Sequence, residues 1–283
     1  MLKKLKTFTA AIALSAVAMN PMSAQLKVPA PSPLQNIKQA FALSEISIDY
    51  SRPSAKGRVV FGDVVPFGKV WRTGANAATK VVFGDDVKIE GVAVVSGTYA
   101  IYTVPNKDSW DIMLYKDLTM GGDVANYKKE NEVVRFTVKT KALNDMIETF
   151  VIDISDITST TCNINFSWEK TRATLHVVTD IDTKIMKNIE SNVINDNRPY
   201  FQAASYYYDS DKDLIKAGEW IDKAIAANPK AFWMFMLKAK IQAKQKDSKG
   251  AIVTAQQVIV LAQEAKNDDY VKQAEKLIAE NKK

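Results

Sequence analysis

The sequence predicts an α+β protein in two parts. An antiparallel β-sandwich or jelly-roll-like domain spans residues 41–180, and an all-α, tetratricopeptide-like helical domain spans 182–283. Three observations carry this. Apolar residues recur with period two from Phe41 to Asp180, they recur at helical spacing from Asp182 onward, and the helical part repeats itself. Strand side chains alternate between two faces, whereas helix neighbours lie three or four residues apart, so the change of period marks a change of element type.

The first residues read MLKKLKTFTAAIALSAVAMNPMSAQ. Lys3, Lys4 and Lys6 precede an apolar run, Phe8 to Met19, that is too short to span a bilayer, and Ser23-Ala24 supplies small residues before Gln25. This is the pattern of a secretory signal peptide, residues 1–24, and the expected product is exported to the periplasm or beyond. No later run approaches the ~20 apolar residues of a membrane span. Residues 25–40 carry Pro29, Pro31 and Pro33 and read as an extended lead-in.

Within 41–180, Ile46, Ile48 and Tyr50 alternate with Ser47, Asp49 and Ser51. The triplets Val134/Phe136/Val138, Phe150/Ile152/Ile154 and Ala173/Leu175/Val177 repeat the pattern, with glycine, proline and asparagine at the turns between them. Eight or nine half-buried strands of this kind pack most simply as two sheets. In CNINFSW, Cys162 shares a face with Ile164, Phe166 and Trp168, which predicts a buried, inert thiol. His176 falls on the opposite alternation from Leu175 and Val177 and should face solvent. One cysteine and one histidine exclude zinc sites of the usual composition, and no metal or cofactor is expected.

After Asp180, Ile185, Ile189 and Val193 fall at helical spacing. A shift of 34 positions then places Phe201 on Phe235, Ser205 on Ala239, Asp213 on Asp247, Ala217 on Ala251 and Ile225 on Ile259. That period, with small residues where helices cross, resembles tetratricopeptide repeats, whose concave groove commonly holds a protein partner. Asp213 is the expected cap of the helix that follows it. Two repeats offer little core, so the helices are expected to dock on the sandwich.

Three stretches, YSRPSAKGRVVFG (50–62), VPFGKVWRTGANAAT (65–79) and SGTYAIYTVP (96–105), resemble in order the exported bacterial proteins grouped as domain of unknown function 2911. The resemblance covers roughly residues 31–180. It implies a β-rich domain outside the cytoplasm, often followed by a tetratricopeptide-like tail, and it implies no reaction.

The formal charge of +6 falls to +3 without residues 1–24, which hold three lysines and no acid. That does not argue for nucleic acid, which calls for a concentrated basic face. The local exception is Arg52, Lys56, Arg58, Lys69 and Arg72, set among glycines and prolines with one acid, Asp63. Arg52, Lys56, Arg58, Trp71, Arg72, Thr73 and Asn76 are the candidate ligand-binding residues. An arginine fork beside backbone N–H groups, a hydroxyl and a carboxamide can hold an anion, and an indole face suits a sugar ring. The alternative is a structural corner, with Trp71 in the core and Arg72 bonded to loop carbonyls. The function expected is therefore an exported, non-enzymatic binding or scaffold protein, its tail for a protein partner and its β-domain for a small anionic or sugar ligand. A hydrolase of envelope glycans or esters is the alternative, with no catalytic residue that the sequence singles out.

Overall fold

The computed structural model describes residues 28–194 and 199–282. The expected signal peptide lies outside the described residues. In chain order the strands are β1 (Leu34–Phe41), β2 (Ser44–Ser51), β3 (Ala75–Phe83), β4 (Val87–Ile89), β5 (Val92–Val94), β6 (Gly97–Pro105), β7 (Ser109–Tyr115), β8 (Glu132–Lys139), β9 (Lys141–Ser155) and β10 (Thr161–Val178). They form a six-stranded sheet of order β1-β2-β3-β6-β7-β8 and a four-stranded sheet of order β5-β4-β10-β9. The pairings between strands are antiparallel. Ile46, Ile48, Val81, Phe83, Ile101, Ile112 and Leu114 from the larger sheet meet Phe150, Ile152, Ile164, Phe166 and Leu175 from the smaller one in a single core. Each such side chain, fully withdrawn from water, contributes about 1.5–3 kcal/mol.

Part of the expected lead-in is strand. Residues 34–40 belong to β1, which pairs along its whole length with β2, Leu34 opposite Ser51 and Phe41 opposite Ser44. The segment hides as a strand because it is an edge: Leu34, Asn36, Lys38 and Ala40 are exposed and only Phe41 is buried.

β10 doubles back on itself. The His176 Nδ1 lies 3.0 Å from the Asn163 Oδ1, Thr174 donates to the Asn165 Oδ1 at 2.9 Å, and the Arg172 Nε donates to the Ser167 Oγ at 2.9 Å. A straight strand would hold Asn163 and His176 roughly 40 Å apart, so the run must reverse between them. The reversal falls at Glu169, whose φ is 49°. Cys162 is fully buried, and burial pushes its thiol up to about 11, as expected of an inert sulfur. His176 is exposed, also as the alternation predicts.

A second, smaller core lies on the outer face of the large sheet. Ala78, Ala100, Tyr102, Met113 and Tyr115 are covered there by Met120, Val124 and Tyr127 of the 116–131 segment, a strap between β7 and β8. The Tyr115 and Tyr127 rings stack with centroids 4.8 Å apart, and the Tyr102 ring stands edge-on to both. Backbone bonds from Ala78 N to Gly121 O and from Lys116 N to Asn131 O fix the strap, and Lys128 N donates to the Tyr115 hydroxyl.

The helices are α1 (Asp182–Ile189), continued by a π-helical turn over Glu190–Ile194, then α2 (Tyr200–Asp209), α3 (Leu214–Ala227), α4 (Phe232–Lys244), α5 (Ser248–Glu264) and α6 (Asp268–Asn281). Asp213 caps α3 by accepting from Ile215 N and Lys216 N, as the sequence predicts, and Asp247 caps α5 at the matching position of the sequence repeat. Losing such a cap costs ~1 kcal/mol. Ala217 and Ala251, also matched in the repeat, are both fully buried, which lets neighbouring helices approach closely. The helices complete cores of their own from residues between Ile185 and Ile278, without a side chain from the sandwich. Docking is accordingly slight: the Lys184 amine pairs with Asp85, and Leu43 helps α1 and α2 line a shallow cavity. Among the described residues no helix is long and apolar enough to cross a membrane.

Candidate binding corner

The chain between β2 and β3 makes a corner whose floor is aromatic. Trp71 exchanges backbone hydrogen bonds with Thr103 at 2.7 and 2.9 Å, which ties the corner to β6. Its indole stacks against Trp168 at 5.8 Å and meets Phe150 and Trp110 edge-on at 5.1 and 6.1 Å. The Trp71 Nε1–H closes the turn by donating to the Gly74 carbonyl at 3.0 Å. Thr73, at φ 57°, is fully buried and its hydroxyl donates to that of Thr103. The hydroxyl of Thr79 donates to the Thr73 carbonyl at 2.6 Å. Gly74 is required by space, since a Cβ there would stand 2.9 Å from the Ser51 carbonyl.

Asn76, at φ 60°, donates its amide to the Ser51 hydroxyl and the Ser32 carbonyl. Its own carbonyl accepts from the Arg72 Nη1 at 3.1 Å. Arg72 is half-buried; its backbone carbonyl accepts from Thr79 N at 3.1 Å, while its guanidinium, among the described residues, makes that one hydrogen bond and no ion pair. The strap presses on the same spot: a Cβ on Gly122 would fall 1.8 Å from the Asn76 carbonyl and 2.7 Å from the Arg72 Nη1. Beside it, the Tyr102 hydroxyl donates to the Gly121 carbonyl, and burial pushes that phenol up to about 12 while the charge of Arg72 pulls the other way.

Of the seven predicted residues, Trp71, Arg72, Thr73 and Asn76 therefore meet in one turn. Thr73, fully buried, and Trp71, partly buried against the sandwich core, hold its shape from beneath. Arg52 adjoins the turn through Ser51, but its Nε donates to the Phe150 carbonyl at 2.9 Å. Arg58 folds onto the Ala55 and Ser54 carbonyls, and the Lys56 N–H binds the Glu148 carboxylate. Gly121, Gly122 and Tyr102 complete the surroundings of Arg72. No local pattern announces them, because they reach it only through sheet register.

A β-sandwich bearing a tight Arg–Gly–Asn corner, followed by helical hairpins, is the class of protein these elements define. The chain belongs to the protein family of unknown function DUF2911, whose match covers residues 32–177, about half of the chain. No curated protein and no solved structure matches it.

Proposed function

We propose that the protein is an exported, non-enzymatic binding protein whose β-domain takes a small anionic or hydroxylated ligand at Arg72. The observation that carries this is the state of the guanidinium. Arg72 is half-buried as a residue, its guanidinium is offered one carbonyl by the described residues, and its remaining N–H groups have no protein hydrogen-bond acceptor and no ion pair there. A guanidinium partly withdrawn from water calls for further acceptors, and a carboxylate, phosphate or sulfate supplies them in fork geometry. Asn76 and the Gly121–Gly122 backbone would border such a ligand, while Trp71 and Thr73 set the turn.

The test is thermal melting of wild type and Arg72→Ala, alone and with phosphates, sulfated sugars and carboxylates. We expect one class to raise the wild-type melting temperature and to leave Arg72→Ala, itself melting close to wild type, unmoved. An Arg72→Ala protein destabilised by ~1–3 kcal/mol, with no compound stabilising either form, would show a structural corner instead.

The helical half reads as the partner-binding part, tetratricopeptide-like in its paired helices. Its support is the groove of about 450 Å³ lined by Tyr208 of α2, Lys240 and Lys244 of α4, and Lys276 and Leu277 of α6. Affinity capture with the chain from Gln25, with and without residues 182–283, checks this. Envelope proteins retained by the first and lost by the second are expected; identical sets from both overturn it.

A further inference from the structure

The end of the sandwich remote from the helices presents an apolar tip among cations. The chain from β2 to β3, the β6–β7 turn, the β8–β9 junction and the turn at Glu169 gather there, as shown by Gly68 N bonding Pro105 O, Thr140 bonding Lys107 O, and Glu169 receiving Val60 N and Phe61 N. The helices attach at the other end, where Lys184 meets Asp85.

Residues 56–69 form the tip. Val60 and Val65 are buried, and the Phe61 ring packs on Trp110 and Trp168 at 5.1 and 6.3 Å. Val65 N bonds Val60 O at 2.8 Å and Gly62 N bonds Val65 O at 2.9 Å, so the double turn is rigid. Its outward side shows Val59, Val64 and Phe67, which are 62%, 39% and 44% exposed. Exposed Lys56, Arg58 and Lys69 flank these, with Lys107, Lys139 and Lys170 on the adjoining turns. None of the six makes an ion pair with a described residue. The acids of this end include Glu148 and Glu169, both turned onto backbone N–H groups of the tip, leaving Asp63, Asp108 and Asp145.

We propose that this end docks on an anionic lipid surface, with Val59, Val64 and Phe67 entering the headgroup–acyl boundary and the lysines meeting lipid phosphates. A soluble polyanion would use the cations and leave three protruding apolar side chains in water. An apolar protein groove would use the tip and strand the cations. Interfacial anchors join the two features, their binding scaling with buried apolar area plus attraction to anionic headgroups. The turn is already ordered by its own hydrogen bonds, so insertion adds little entropic cost. This docking holds the helical half away from the bilayer, and it uses residues that the Arg72 reading does not require.

The test is co-sedimentation of the protein beginning at Gln25, so that the apolar leader cannot itself enter lipid. One set of vesicles is phosphatidylcholine alone, and the other is phosphatidylcholine mixed with phosphatidylglycerol. Sedimentation with the mixed vesicles only is expected, weakened by salt and by roughly fivefold for each of Lys56→Ala and Lys69→Ala. Val59→Asp with Val64→Asp should abolish it at an unchanged melting temperature; if the melt falls, Val64→Ser replaces them and should weaken it. Failure to sediment, equal binding to both vesicles, binding indifferent to the tip substitutions, or retention on heparin without vesicle binding would each overturn the proposal.

Discussion

Trp71→Ala should lower the stability of the β-sandwich by about 3–5 kcal/mol and leave the unfolding of the helical half where it is. The indole touches three rings, Phe150, Trp168 and Trp110, that come from both sheets. Removing it leaves a cavity in the joint between the sheets, and the rigid strands around it can close that space only partly. It also removes the N–H that closes the turn onto the Gly74 carbonyl. The helical cores contain no sandwich residue and should not register the change. Denaturant unfolding followed separately by near-ultraviolet and helix-sensitive circular dichroism distinguishes the two transitions. A loss below ~1 kcal/mol would mean that the paired backbone of Trp71 and Thr103 holds the corner without the ring.

Gly122→Ala should unlatch the strap and destabilise the protein by about 1–3 kcal/mol. The cause is space and not backbone freedom. The new methyl would lie 1.8 Å from the Asn76 carbonyl, so the strap or the turn must move. Faster exchange of the Ala78 amide, which donates to Gly121, and new proteolytic cuts within 116–131 are the expected readouts; unchanged exchange and cleavage would show that the turn absorbs the methyl. Acid should loosen the same strap in the wild type. Hydrogen bonds from Arg135 hold the Glu132 carboxyl below its ordinary value, against the opposing effect of burial and with help from the Tyr127 hydroxyl. A depressed folded-state value gives stability that is present above the unfolded pKa and lost as pH falls through the folded one. Cleavage of the strap should therefore rise on acidification, and Glu132→Gln should flatten that rise.

Much of the architecture is legible in local pattern because period and burial are tied wherever one face is buried. Cys162 and His176 fall on the faces that their alternation assigns, and Asp213 caps the helix that it precedes. β1 escapes because an edge strand with one solvated face needs few apolar residues, and LQNIKQAF supplies few. The two arms of β10 are legible as separate alternating segments, but the place of the reversal between them escapes because Glu169 and Lys170 are not turn residues by composition. Glu169 takes a positive φ, with its carboxylate receiving two backbone N–H groups from a loop more than a hundred positions earlier. The candidate corner is legible in its near half, where Trp71 to Asn76 form one turn. Its far half, Tyr102 with Gly121 and Gly122, depends on how β3, β6 and the strap align, and no short window of sequence holds that alignment.

The aromatic joint also sets an order of events as the chain acquires its structure. Phe61, Trp71, Trp110, Phe150 and Trp168 are spread over more than a hundred positions, so the joint is absent until β9 and the first arm of β10 have been made. Closing loops of that length before any contact rewards them is slow, whereas each helix here packs mainly on its sequence neighbours. The helical part, whose contacts are local, is thus expected to become structured before the sandwich. If the β1–β2 hairpin forms in that interval, its inner face, Ile46, Ile48 and Tyr50, is bare to water. A chain caught at that stage would be an aggregation hazard until Phe150 and Ile152 of β9 came to lie against Tyr50.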